Sequence, residues 1–279
     1  MCRLFGQLST TRQSGEPFLT ASEASLLKQT DFDGANRQED GWGIGHFNSA
    51  GKAVVTKSPK AAFKEAARFR KASRSKSSAI VAHVRAASNP RGIDRKRLIN
   101  AENTQPFTDG RWLFAHNGTL EIPTEVADQL GPLRKRVKAL NDSEVYFWQF
   151  IKFHERLGDP AAALQACIKE TWKIWADCRG RYPLKKTPYT SLNAVVSDGK
   201  SLHAVCHSVR RGLAKCGVCN PDQPWQVMSF ARRDDRLIVA SENLDRGRWT
   251  RFLEPEILSA TIEAGKISVR RLRVEVPKA

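Results

Sequence analysis

The order of the patterned segments constrains this fold more than any single motif. Short apolar runs and helical stretches follow one another without a strict strand–helix–strand repeat. A parallel sheet needs that repeat, because every parallel crossover takes a dozen or more residues. Its absence predicts an α+β architecture, with helices layered over largely antiparallel sheets. Gly43–Phe47 and Ala53–Thr56 read as paired strands around a turn at Asn48–Gly51, and 78–85 and 112–116 as buried strands. Asp142 opens a long amphipathic helix, and Pro160 starts a second that runs towards Trp175. The last third is strand-rich, with runs at 192–197, 202–208, 225–230, 237–241 and 266–276. Ser22–Lys28 reads as a short helix, and Ser58-Pro59 as a helix start.

With 279 residues, 41% of them apolar, the chain can bury a sizeable core. No Pro/Gly/Ser-rich linker divides it, so a single domain over 2–279 is expected. No apolar run approaches the length of a membrane span, and no leader pattern follows Met1. Six scattered cysteines without a leader read as reduced thiols in a cytoplasmic protein. The 46 Lys and Arg outnumber 29 acids, for a formal charge of +17. Basic residues concentrate in 57–76, at Arg91, Arg95, Lys96 and Arg97, and at Arg134–Lys138. Such charge attracts polyanions without sequence specificity. It is dispersed, and no nucleic-acid module accompanies it, so a solvated basic surface is the simpler reading.

Cys2 follows the initiator Met, and trimming of Met1 would leave it with a free α-amine. One residue then supplies a nucleophile and a base, because a neutral α-amine of pKa about 7.7–8.0 can take the thiol proton. Arg85 ends a buried strand in His83-Val84-Arg85, where a guanidinium suits either a carboxylate or solvent. Asn117-Gly118 after the next strand makes either a hairpin turn or an oxyanion hole. Asp142, in Asn141-Asp-Ser-Glu144, is an ordinary helix-start acid or a grip for a substrate ammonium. Asp40-Gly-Trp-Gly-Ile-Gly lacks the spacing of a phosphate cradle and suits a closely approached strand. Cys216-Gly-Val-Cys219, with His203, Cys206 and His207 upstream, is a weak zinc pattern: adjacent strand residues point to opposite faces. No metal and no cofactor are expected.

Taken in order, Met1–Gly6, Arg37–Gly45, Ala82–Arg85, Asn103–Phe107, His116–Gly118, Asn141–Glu144, Leu192–Gly199 and Val239–Glu242 resemble the class II glutamine amidotransferases, which are N-terminal-nucleophile hydrolases. The resemblance is closest to the stand-alone branch of YafJ-like proteins and the ergothioneine-pathway amidohydrolase. It implies a four-layer αββα sandwich. It also implies that Cys2 attacks a γ-amide carbonyl and forms a γ-glutamyl thioester, while Asn117 and Gly118 hold the oxyanion. Arg85 would take the substrate α-carboxylate and Asp142 its α-ammonium. Arg37, Trp42, His83, Gln105 and His116 are expected in support. Two departures, Ala86–Pro90 after the Arg and Gln105 where relatives often carry His, touch substrate detail more than the nucleophile. The expected ligand is a small γ-glutamyl compound, with hydrolysis or transfer to a separate acceptor subunit both open. An amidase for non-glutamyl amides and a catalytically silent basic binding or regulatory protein are the alternatives.

Overall fold

The computed structural model describes residues 2–32, 34, 37–209, 219–220, 222–224 and 226–277. The strands are β1 (Arg3–Ser14), β2 (Trp42–Phe47), β3 (Ala53–Ser58), β4 (Lys76–Val84), β5 (Phe107–Thr108), β6 (Leu113–Asn117) and β7 (Asn193–Ser197). They continue as β8 (Ser201–Cys206), β9 (Ser229–Arg233), β10 (Arg236–Ala240), β11 (Thr250–Arg251), β12 (Glu256–Glu263) and β13 (Lys266–Arg273). The helices are α1 (Leu26–Gln29), α2 (Ala66–Ser73), α3 (Arg95–Leu98), α4 (Pro123–Asp128), α5 (Asp142–Leu157) and α6 (Pro160–Cys178).

The strands form two antiparallel sheets, ordered β11-β9-β10-β1-β4-β2-β3 and β13-β12-β8-β7-β6-β5. Leu4, Leu8 and Val81 of the first sheet meet Leu113, Ala115, Val195 and Ala204 of the second in a shared core. Gly6 brings the two sheets close: a Cβ there would stand 2.6 Å from Val195 Cγ1. On the outer face of the second sheet, Phe114 and Val196 pack under Phe147, Phe150, Leu164 and Ile168 of α5 and α6. On the outer face of the first, Phe5, Trp42 and Ile80 pack under Leu26 and Phe69 of α1 and α2. Helix, sheet, sheet and helix layers follow in that order, as expected.

Two local expectations are corrected. Ser58 does not cap a helix. It is still paired with Trp42 in the β2–β3 ladder, and α2 begins only after a 3-10 turn at Phe63–Glu65. Instead of one helix over Ser22–Lys28, a π-type turn at Pro17–Ala21 precedes the single turn α1, whose N-cap Ser25 accepts from the Lys28 amide. The registers place the site at one end of both sheets. Arg3 lies opposite Val84 and Asn117 opposite Asn193, so Cys2, Arg85 and Asn117 sit just at or beyond strand ends.

Candidate active site

The Cys2 thiol, half-buried at the start of β1, is held by the chain that leaves β4. It donates to the Ala86 carbonyl and accepts from the Ala86 amide, both at 3.3 Å. Burial raises its pKa, opposed by the Ala86 amide and by Arg85, and Asp142 adds to the rise. An unassisted thiol here is therefore a poor nucleophile at neutral pH. Behind it, Arg3 donates to the Cys2 carbonyl at 3.2 Å and pairs with Glu242 at 3.4 Å, with both side chains almost wholly buried. Glu242 in turn accepts the amides of Cys219 and Asn220 at 2.5 and 2.8 Å.

Arg85 is 2% exposed and Asp142 4%, yet they make no ion pair with each other. Arg85 donates to the Leu98 carbonyl at 3.1 Å. Asp142 accepts from the Leu120 amide at 2.7 Å. Burial lowers the Arg85 pKa and pushes the Asp142 carboxyl up to about 6, and both charges act on the thiol. The N-cap Asn141 fixes where Asp142 sits. Its Oδ1 accepts the Ser143 amide at 2.8 Å, and its Nδ2 donates to the Asn103 carbonyl at 2.9 Å.

Asn117 ends β6 in the interior. Its Nδ2 approaches Ser241 Oγ at 3.5 Å, and the same hydroxyl accepts the Leu4 amide at 2.9 Å, which ties the Asn117 end to the Cys2 strand. Gly118 admits no side chain: a Cβ would lie 2.0 Å from the Ser191 carbonyl oxygen. His116 fixes this turn. Its Nε2 lies 3.0 Å from the Ser191 carbonyl, which can only accept, so Nε2 carries the proton and Nδ1 accepts from Ser143 Oγ at 3.0 Å. Burial brings its pKa down to about 4, which keeps it neutral. Gln105 buttresses the same strand. Its Oε1 accepts the His116 amide at 2.6 Å, and its Nε2 donates to the His116 carbonyl at 3.1 Å and to Ser143 Oγ at 3.2 Å. Gln105 and His116 thus hold the Asn117-Gly118 turn. His83 is fully buried between the sheets beside His116, its pKa lowered to about 3 by burial.

Arg37 and Trp42 are not part of this cluster. Arg37 is 46% exposed and paired with Asp31 at 2.6 Å, on the outward side of a segment whose alternate residues Gln38 and Asp40 are buried. Trp42 faces the helix layer, edge-on to Phe69 at 5.1 Å, and its indole donates to Glu65 at 3.2 Å. Strand alternation turns its neighbour Gly43 towards Gln105 instead. The structure adds residues that the sequence reading left without a role. Asp40 accepts the Ala87 amide at 2.8 Å and pairs with Arg95 at 2.5 Å. Asn103 accepts the Leu140 amide at 2.6 Å, bracing the approach to α5. Asp40, Asn103 and Glu242 all fall inside recognisable motifs, but their roles depend on contacts distant in sequence. The zinc pattern disperses: His203 lies between Ser201 and Ser259, while His207 meets Tyr189. Cys216 and Met1 lie outside the described residues. Among the described residues, no three metal-binding side chains gather, and no helix is long and apolar enough to cross a membrane.

Solved structures share the architecture. A glutamine aminotransferase class-II domain protein from Silicibacter pomeroyi superposes with a TM-score of 0.64 at 19% identity, covering 98% of this chain and all of that one. Glutamine phosphoribosylpyrophosphate amidotransferase from B. subtilis gives 0.60 at 17%, with 99% of this chain matching half of that enzyme. A predicted glutamine amidotransferase from Pseudomonas aeruginosa gives 0.55 at 19%, covering 95% of this chain and 99% of that one. No curated protein sequence matches significantly. The model of the class-II glutamine amidotransferases matches residues 1–267, and the chain belongs to that family.

Proposed function

We propose that this protein cleaves a γ-glutamyl amide through Cys2, with Met1 removed. The observation that carries the reading is the pair Arg85 and Asp142: opposite charges, both buried, both acting on the thiol, and neither neutralising the other directly. Such a pair suits the zwitterionic head of an amino acid, with Arg85 on the α-carboxylate and Asp142 on the α-ammonium. A general amide would leave both charges buried without partners.

The α-amine of Cys2 takes the thiol proton, and the thiolate attacks the γ-carbonyl carbon. The developing oxyanion lies against Asn117 Nδ2 and the Gly118 N–H. As the tetrahedral adduct collapses, the C–N bond breaks, and the α-ammonium returns its proton to the departing amine. A γ-glutamyl thioester remains. Water then attacks it, giving one proton to the α-amine. The C–S bond breaks, and that proton restores the thiol, leaving glutamate. Because burial raises the thiol pKa, proton removal needs an adjacent base, and the α-amine of the same residue supplies one.

Turnover of L-glutamine and of an N-alkyl amide lacking the α-carboxylate tests this reading. Losing one charge-assisted contact is worth about 1.5–3 kcal/mol, so Arg85→Ala should lower kcat/KM for glutamine by about 10- to 100-fold. The other amide should be poor for both proteins. Equal losses on the two amides would indicate a general amidase. Salt-dependent nucleic-acid binding without turnover would indicate a silent binding protein.

A further inference from the structure

Removal of Met1 leaves Cys2 tethered by one peptide bond, a position that ordinarily frays. The end of β10 clamps it. Ser241 accepts the Leu4 amide through Oγ at 2.9 Å and donates its own amide to the Leu4 carbonyl at 3.1 Å. Arg3 Nη1 donates to the Cys2 carbonyl at 3.2 Å, and Arg3 Nη2 pairs with Glu242 Oε2 at 3.4 Å, both side chains almost wholly buried. The other oxygen of Glu242 accepts the amides of Cys219 and Asn220 and the Asn220 side-chain amide. A pair buried this deeply is a poor device for stability alone, since apolar side chains of similar volume are often as stable. Apolar side chains could not hold the Cys2 carbonyl or set a charge beside it.

Two torsions decide where the α-amine of Cys2 stands. Rotation about Cα–C sets the amine against the carbonyl, and χ1 sets the thiol against the amine. Arg3 fixes the carbonyl, and Ala86 fixes the thiol at 3.3 Å. The amine is left one direction. Covalent geometry keeps it within about 4 Å of the carbonyl oxygen, so the guanidinium lies within about 8 Å of it. Among the described contacts, Glu242 reaches Cys2 through Arg3. An α-amine of ordinary pKa, about 7.7–8.0, is mostly protonated at neutral pH and cannot take the thiol proton. A neighbouring positive charge favours its neutral form. We propose that Arg3 and Glu242 are positioning residues for the base: Arg3 aims the Cys2 amine and favours its neutral form, while Glu242 holds Arg3 and limits its charge. This rests on the reading above that Cys2 is the nucleophile and its own amine the base.

The rate at which a glutamine-like diazoketone alkylates Cys2, followed from acid to mildly alkaline pH, tests this. The acid limb of that profile reports where the amine gives up its proton, and intact mass confirms the loss of Met1 in each variant. Arg3→Met removes the positive charge and leaves Glu242, so the limb should move up by about one pH unit. Below the limb its maximal rate should then fall about tenfold, with the half-saturating label concentration unchanged. Glu242→Gln keeps an acceptor for the Cys219 and Asn220 amides but loses the negative charge, so the limb should move down. Arg3→Lys keeps the charge and should leave the limb in place. Limbs that stay at the wild-type pH, or that move the same way in Arg3→Met and Glu242→Gln, would overturn the proposal and leave the pair a structural role only. Should Arg3→Met fail to fold, the direction of the Glu242→Gln shift decides alone. Wild-type protein that takes no label on Cys2 would overturn the nucleophile reading itself.

Discussion

Asp142 shows function set against stability in one side chain. Its carboxyl is almost wholly buried and raised to about 6, with burial as the first cause. Holding it ionised at neutral pH therefore costs about 3 kcal/mol relative to an unfolded carboxyl. Asn at this position can keep the bond from the Leu120 amide without the charge. Asp142→Asn should therefore raise stability by about 1–3 kcal/mol in urea unfolding while raising KM for a γ-glutamyl substrate at least tenfold. A destabilised variant with unchanged KM would show that Asp142 serves the fold rather than the ligand. The identities of Cys2, Arg85, Asn117, Gly118 and Asp142 as candidates were legible from the sequence. Their supporting contacts were not, because Asn103, Ser143, Ser191 and Ser241 act through bonds spanning tens to hundreds of residues. Arg37 and Trp42 lay inside the right motif on the wrong side of the chain.

At the scale of elements, legibility followed the clarity of the apolar period. Helices α5 and α6 carry long amphipathic patterns, with Asn141 and Asp159 as caps, and their starts match the sequence signals. The β2–β3 pair matches its turn dipeptides. The twelve-residue β1 carries no clear strand pattern in the sequence although it sits in the interior of its sheet. Its buried positions include Gln7 and Ser9, which break the apolar alternation and bond to each other at 3.1 Å. Strand β12 is illegible for a similar reason, since Ser259 and Glu256 are buried through His203 and Arg271. The helix start expected at Ser58 failed because ladder pairing to Trp42 outweighs a local cap signal.

Across the whole molecule, three of the buried histidines have pKa values lowered far enough to be neutral at pH 7. His83 has a pKa lowered to about 3, and His116 and His203 to about 4, each chiefly by burial. The folded state refuses protons that the unfolded chain accepts near pH 6.5, so stability falls as pH falls through 6.5 towards 4. Each histidine contributes about 1.4 kcal/mol per pH unit in that window, and the three together about 4. Asp142 has the opposite sign, because its folded pKa is raised: below about 6 it takes up a proton and returns part of the loss. The unfolding free energy from urea titrations at pH 7, 6 and 5 should therefore drop, by roughly 3 kcal/mol per unit below pH 6. A flat or rising series would mean that these rings are hydrated or paired when charged. The αββα layering buries these neutral rings and the Arg85–Asp142 pair and sets the half-buried Cys2 beside that pair. The direct test is the intact mass of the protein before and after treatment with a glutamine-like diazoketone. The account predicts a chain lacking Met1 that gains one adduct, on Cys2; active protein that retains Met1 would contradict it, since the Cys2 nitrogen would then be an amide with no basicity.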